Sequence, residues 1–98
     1  MATIHVALQD GFRGDSVAVC LDGREVYNKQ GVTTDLRISR ADGFDIDAPD
    51  AGATIEVKAR GMSAAVDIDP RQAPYLAVDI GDDGRPRMRL SQQPFAYL

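Results

Sequence analysis

The chain has 98 residues, 44% hydrophobic and 27% charged, which fits one soluble globular domain with a single core and argues against disorder. Its 15 acidic residues outnumber 11 basic ones, giving a net charge of −4. That balance disfavours nucleic acid, whose binding is driven by Lys and Arg neutralising phosphates, and disfavours anionic membrane surfaces for the same reason.

From the N-terminus, Ile4, Val6 and Leu8 alternate with Thr3, His5 and Ala7, the period-two signature of a half-buried strand. The next stretch, Gly11-Phe12-Arg13-Gly14-Asp15-Ser16, contains the Arg-Gly-Asp-Ser tetrapeptide that integrins read. Lying between two strands and carrying two glycines, it reads as a loop whose spelling is incidental. Val17, Val19 and Leu21 then alternate with Ala18 and Cys20, and Asp22-Gly23 leads into Arg24-Glu25-Val26-Tyr27. Asp-Gly between alternating runs predicts a hairpin with a type I′ turn, because both central residues need positive φ.

Leu36 and Ile38 alternate with Asp35 and Arg37, and Phe44, Ile46 and Ala48 with Asp45 and Asp47. Ile55, Val57 and Ala59 alternate with Glu56, Lys58 and Arg60, and Ala64, Val66 and Ile68 with Ala65, Asp67 and Asp69. Leu76, Val78 and Ile80 run into Gly81-Asp82-Asp83-Gly84, and Met88 and Leu90 return from it as a second hairpin. Turn signals separate these runs at Asp10-Gly11, Asp42-Gly43, 49–52, Arg60-Gly61 and 70–74. No window carries a sustained helical stripe. The expected fold is all-β, a single domain over residues 1–98. It is an antiparallel β-sandwich of about eight short strands spaced roughly 8–12 residues apart.

A single cysteine allows no internal disulfide, the N-terminus lacks a basic and apolar leader, and no apolar run approaches the roughly 20 residues that span a bilayer. The expectation is a cytoplasmic protein that binds neither nucleic acid nor membrane.

Candidate chemistry is sparse. Nucleophilic catalysis needs a nucleophile, a base and an orienting group, and the chain offers one histidine, His5, and one cysteine, Cys20. Both fall at outward strand positions and would share a face if their strands were neighbours. Ordinary sheet residues are the simpler reading, and enzymatic activity is not expected. Zinc is excluded by the shortage of His and Cys. Calcium takes closely spaced carboxylates, so Asp42, Asp45, Asp47, Asp50, Asp82 and Asp83 form a candidate cation set, with Asp79 beside the last two and Asp67 and Asp69 a separate acidic group. No EF-hand spacing occurs among them. Arg85, Arg87 and Arg89 share one face of the last strand and are expected to pair with Asp79 across the hairpin or with neighbouring strand acids.

Two features point to binding instead. Ala7, Ala18, Cys20, Ala65 and Ala77, with Tyr75 beside them, occupy outward positions where a solvated sheet carries Thr, Lys, Glu or Arg, and a cluster of small side chains suits docking. The chain also ends on Phe95-Ala96-Tyr97-Leu98, aromatic and apolar where termini are usually polar. The expected function is therefore protein–protein interaction or homo-oligomerisation without catalysis. The interface candidates are Ala7, Ala18, Cys20, Tyr75, Ala77, Phe95, Tyr97 and Leu98, and the partner is the chain itself or another protein. The alternative is a calcium- or small-ligand-binding module using the Asp-rich loops. No other cofactor is expected.

Overall fold

The alternating runs form eight strands in the computed structural model, which describes residues 2–95. They are β1 (Ala2–Leu8), β2 (Arg13–Leu21), β3 (Arg24–Thr33), β4 (Asp42–Ala48), β5 (Ala53–Ala59), β6 (Met62–Ile68), β7 (Tyr75–Ile80) and β8 (Pro86–Ser91). Two four-stranded sheets result, a first with order β4-β1-β7-β8 and a second with order β3-β2-β5-β6. Every pairing is antiparallel except β1 with β7, which run parallel. Among the described residues there is no helix, hence none long and apolar enough to cross a membrane. The radius of gyration, 12.5 Å, is that of a compact chain of this length.

The hairpins form where turn chemistry demands them. Asp22 and Gly23 have φ of 50° and 83°, as a type I′ turn requires, and Arg60 and Gly61 repeat the geometry at 54° and 71°. The Gly81–Arg85 turn joins β7 to β8 and is closed by backbone hydrogen bonds from Gly81 to Arg85 and from Gly84 to Gly81.

Inward positions of both sheets meet in one core. Ile4, Val6, Leu8, Ile46, Leu76, Val78 and Ile80 come from the first sheet, and Val17, Val19, Leu21, Val32, Ile55, Val57 and Ile68 from the second. Tyr27 of β3 and Phe44 of β4 fasten one flank, their rings stacked 3.9 Å apart at 7°. The Tyr27 hydroxyl donates to Asp42 Oδ2 at 2.7 Å. Burial and that hydrogen bond raise the Tyr27 phenol well above its ordinary pKa. Burial of Asp42 opposes its ionisation. The donors Tyr27, Gly43 and Lys29 outweigh it and hold the carboxyl below the usual range.

Two segments depart from the sequence expectation. The Arg-Gly-Asp stretch is not a free loop: Arg13, Gly14 and Asp15 open β2, in a region where its register with β3 shifts twice. Phe12, just before them, is the largest fully buried side chain in the protein's described part, at 1% exposure. Asp15 is buried at 8% and grips Arg60, accepting from Nε at 2.7 Å and Nη2 at 3.1 Å, while Arg60 Nη2 also donates to the Gly11 carbonyl. An aspartate so engaged is not displayed for recognition.

The second departure is the run Leu36–Ile38, which reads as a strand but forms a turn. Asp35 and Arg40 make an isolated bridge, and Asp35 holds Arg37 through two contacts of 3.1 and 2.9 Å. Leu36 is left 87% exposed and Ile38 42%. Three residues of alternation carry too little apolar area to outweigh that local pairing.

The Asp15–Arg60 pair makes a pH prediction. The Arg60 hydrogen bonds hold the Asp15 carboxyl below its ordinary range, against the opposing effect of burial. A carboxyl with a depressed folded-state pKa contributes stability that is present above its unfolded value, near 4, and is lost as pH falls through the folded value. Asp15→Asn should lower the melting midpoint by roughly 5 °C at pH 7, allowing for the partly exposed guanidinium. The gap between wild type and variant should narrow as the pH is taken down through and below the ordinary carboxylate range, in melts followed by circular dichroism. A gap constant from pH 7 to 2 would contradict the assignment.

Candidate functional site

The register of the first sheet builds a cleft on its face turned away from the core. Across three strands, Asp45, His5 and Tyr75 stand in one row, since His5 pairs with Asp45 of β4 and with Tyr75 of β7. The next row is Gly43, Ala7, Ala77 and Arg89. Side chains of the first row are large and those of the second, up to Arg89, are minimal. The step between them makes a cleft of about 440 Å³, floored by Ala7 and Gly43 and walled by His5, Arg40, Asp45, Tyr75 and Phe95.

Each wall is held in place. His5 Nδ1 and Asp45 Oδ1 are 2.8 Å apart, and the His5 ring stacks on Tyr75 at 5.0 Å and 23°. Arg40 enters from the β3–β4 connection, and its guanidinium lies in the space that a Cβ at residue 43 would take, so a side chain there would push the guanidinium out of its present position. At the other end Arg89 donates to Gln9 Oε1 at 2.7 Å, pairs with Asp79 at 3.3 Å and lies under the Phe95 ring at 5.3 Å. The long Arg89 side chain and the returning C-terminal segment explain why Ala7 and Ala77, although facing away from the core, are only 6% and 0% exposed.

The interface candidates are therefore sorted by the topology. Ala7, Tyr75, Ala77 and Phe95 come together on the first sheet, whereas Ala18 and Cys20 belong to β2 in the second. Cys20 lies between Glu25 and Glu56, Ala18 between Asn28 and Lys58, and these longer side chains leave Cys20 buried at 7%. The small residues do not form one flat patch. Tyr97 and Leu98 lie outside the described residues. The second sheet carries its own open groove of about 740 Å³, lined by Ser16, Ala18, Asn28, Gln30, Lys58 and Ser63 among others.

The same sorting separates His5 from Cys20, whose strands are not neighbours and whose side chains face away from the core on different sheets. His5 meets a carboxylate instead, the arrangement that orients an imidazole in base catalysis. Among the described residues lining the cleft there is no Ser, Thr or Cys for it to activate.

The six aspartates considered for calcium are likewise dispersed. Asp42 is engaged by Tyr27 and Lys29, and Asp45 by His5. Asp83 accepts from the Arg85 backbone and lies 4.0 and 3.9 Å from the Arg85 and Arg87 side chains. Asp47 is exposed on edge strand β4, while Asp50 and Asp82 lie in separate turns. Among the described residues no three His, Cys, Asp or Glu side chains converge to hold a metal.

Of the expected arginine pairs, Arg89 reaches Asp79, the residue diagonal to it, while Arg87 turns to Asp83. Sequence reasoning missed Arg40 and Gly43 as parts of the cleft. The available signal was a glycine at an outward position of an alternating strand, where a side chain is ordinarily tolerated. No protein-family model matches the chain, and no curated protein or solved structure is found to be similar to it.

Proposed function

We propose that the chain is a non-enzymatic β-sandwich that works by protein–protein interaction, with the cleft over Ala7 as its docking site for a polypeptide segment. The sandwich arrangement is supported by the single apolar core that takes side chains from both sheets. The function rests on one observation: aromatic and charged side chains, Tyr75, Phe95, Arg40, His5 and Asp45, surround a concave floor of minimal side chains. Tyr and Arg around a pocket are the residue types that dominate binding energy at protein interfaces. The buried, unpaired thiol of Cys20 suits a reducing compartment, and we place the protein in the cytoplasm on that ground.

A photo-cross-linking side chain at Thr3, on the rim of this face, tests the reading against one at Lys58 on the other sheet. Polypeptide adducts should form in cell extract from position 3, not from position 58, and should be lost when Tyr75→Ala is added. Adducts that survive Tyr75→Ala, or none from position 3, would count against the cleft.

A further inference from the structure

We infer that β6 is a self-complementary edge through which two copies of this chain pair antiparallel, joining their second sheets into one continuous eight-stranded sheet. The inference rests on the protein-interaction reading above and names a partner for it, at a surface separate from the cleft.

The two-residue type I′ turn at Arg60-Gly61 fixes which backbone groups are free. Residues flanking such a turn, Ala59 and Met62, exchange both hydrogen bonds, and the exchange recurs at every second pair. Met62, Ala64, Val66 and Ile68 therefore spend their N–H and C=O groups on β5. Those of Ser63, Ala65 and Asp67 point to the open edge. Among the described residues β6 pairs only with β5. β8 lies near it across the two sheets but shares no ladder with it.

Edges of this kind recruit other strands unless they are guarded, and the other three edges are guarded. β3 is irregular, its register with β2 shifting at three places, and carries Arg24, Glu25 and Lys29. β4 has Asp45 at its midpoint, so two-fold self-pairing would set carboxylate against carboxylate. β8 begins with Pro86 and carries Arg87 and Arg89. β6 carries a single charge, Asp67, away from its midpoint, and none of the other devices. Its register with β5 runs unbroken from Met62 to Ile68, it contains no Pro, Lys or Arg, and Ser63 and Ala65 are exposed.

Its sequence matches itself in reverse. A two-fold axis at Ala65, the strand midpoint, sets Ala65 against Ala65, Ser63 against Asp67, Ala64 against Val66 and Met62 against Ile68. The free groups of residues 63, 65 and 67 then form about six backbone hydrogen bonds. The one charged residue, Asp67, faces a hydroxyl donor rather than another carboxylate. The partly buried Val66, which packs against the core, gains the partner's Ala64 as an apolar neighbour.

Sedimentation equilibrium of the full chain from roughly 10 to 500 µM should show a concentration-dependent dimer, at the weak end for an interface of one strand pair. Ala65→Pro removes only a donor that points away from β5, so it should leave the fold intact and raise the dimer Kd by about tenfold or more. Ala65→Lys, with its side chain on the solvent face, should do the same, and decides the matter if circular dichroism shows the proline variant unfolded. A wild type that stays monomeric throughout would overturn the inference while leaving the cleft to serve a different protein. A dimer that both variants preserve would overturn it as well.

Discussion

Phe12→Ala is expected to lower stability by about 3–5 kcal/mol, the cost of truncating a fully buried aromatic whose cavity only partly collapses. For a domain of this size that is a fall in melting midpoint on the order of 15–25 °C, out of a total stability of about 5–15 kcal/mol. The reason lies in what the side chain closes. Phe12 sits in the crossing from β1 in the first sheet to β2 in the second, and its ring joins the core at 1% exposure. Its backbone is tied to the start of the β3–β4 connection: the Phe12 N–H donates to Thr34 Oγ1 at 3.0 Å, and the Thr34 N–H donates back to the Phe12 carbonyl at 2.9 Å. The Thr34 hydroxyl in turn donates to the Gln9 carbonyl at 2.6 Å. Two crossing segments are held at one point, with the aromatic ring beneath them. Leu36→Ala, at a residue 87% exposed, is the control and should move the midpoint by no more than a degree or two. Equal effects at the two positions would show that Phe12 is not seated in the core.

Phe12 also marks the limit of what alternation reveals. The strands β1, β2, β4, β5, β6 and β7 were legible because each repeats an inward apolar residue at every second position, and a one-residue slip would expose the whole set. The Asp22-Gly23 hairpin was legible because its turn needs two positive φ values that few other dipeptides supply. Phe12 has no such partner at residue 10 or 14, so nothing in its neighbourhood announces a core position. Leu36 and Ile38 fail in the opposite direction, alternating by pattern while a local Asp35–Arg37 pair keeps them in a turn.

The cleft was legible in pieces. Outward Ala7, Tyr75, Ala77 and Phe95 could be picked out singly, since small or aromatic side chains stand out on a solvated face. Their convergence depends on the parallel pairing of β1 with β7, two strands separated by most of the chain. Period two tells which way a side chain faces but not which strand lies beside it. For the same reason His5 and Cys20 could be drawn together on paper, while the pairing order assigns them to separate sheets. β6 is a converse case. Its unguarded composition is visible in Ser63-Ala64-Ala65-Val66, but only the sheet order shows that the strand is an edge.

Gly11→Ala is the second large effect, expected to cost about 2–5 kcal/mol, combining a left-handed alanine with a steric conflict. Gly11 has φ of 88°, where an L side chain is strained, and a Cβ there would overlap the Ile80 carbonyl oxygen at the end of β7. That neighbour is backbone and is fixed on both sides. Ile80 donates its N–H to the Asp10 carbonyl at 2.8 Å, and the Asp10 N–H donates to Asp79 Oδ1 at 3.0 Å. Relief would require moving the β1–β2 crossing off the end of β7, which would drag Phe12 from the core and stretch the Arg60 contact to the Gly11 carbonyl. Gly14 separates the two contributions, because its φ of 70° is similarly left-handed but nothing lies within 4 Å of a Cβ built there. Gly14→Ala should therefore cost only the conformational part, about 1–2 kcal/mol, with the same near-ultraviolet signature as wild type. Chemical denaturation of both variants measures the difference directly. If Gly11→Ala were no worse than Gly14→Ala, the close approach of this crossing to Ile80 would not exist in solution, and the path of the chain between the two sheets would have to be redrawn.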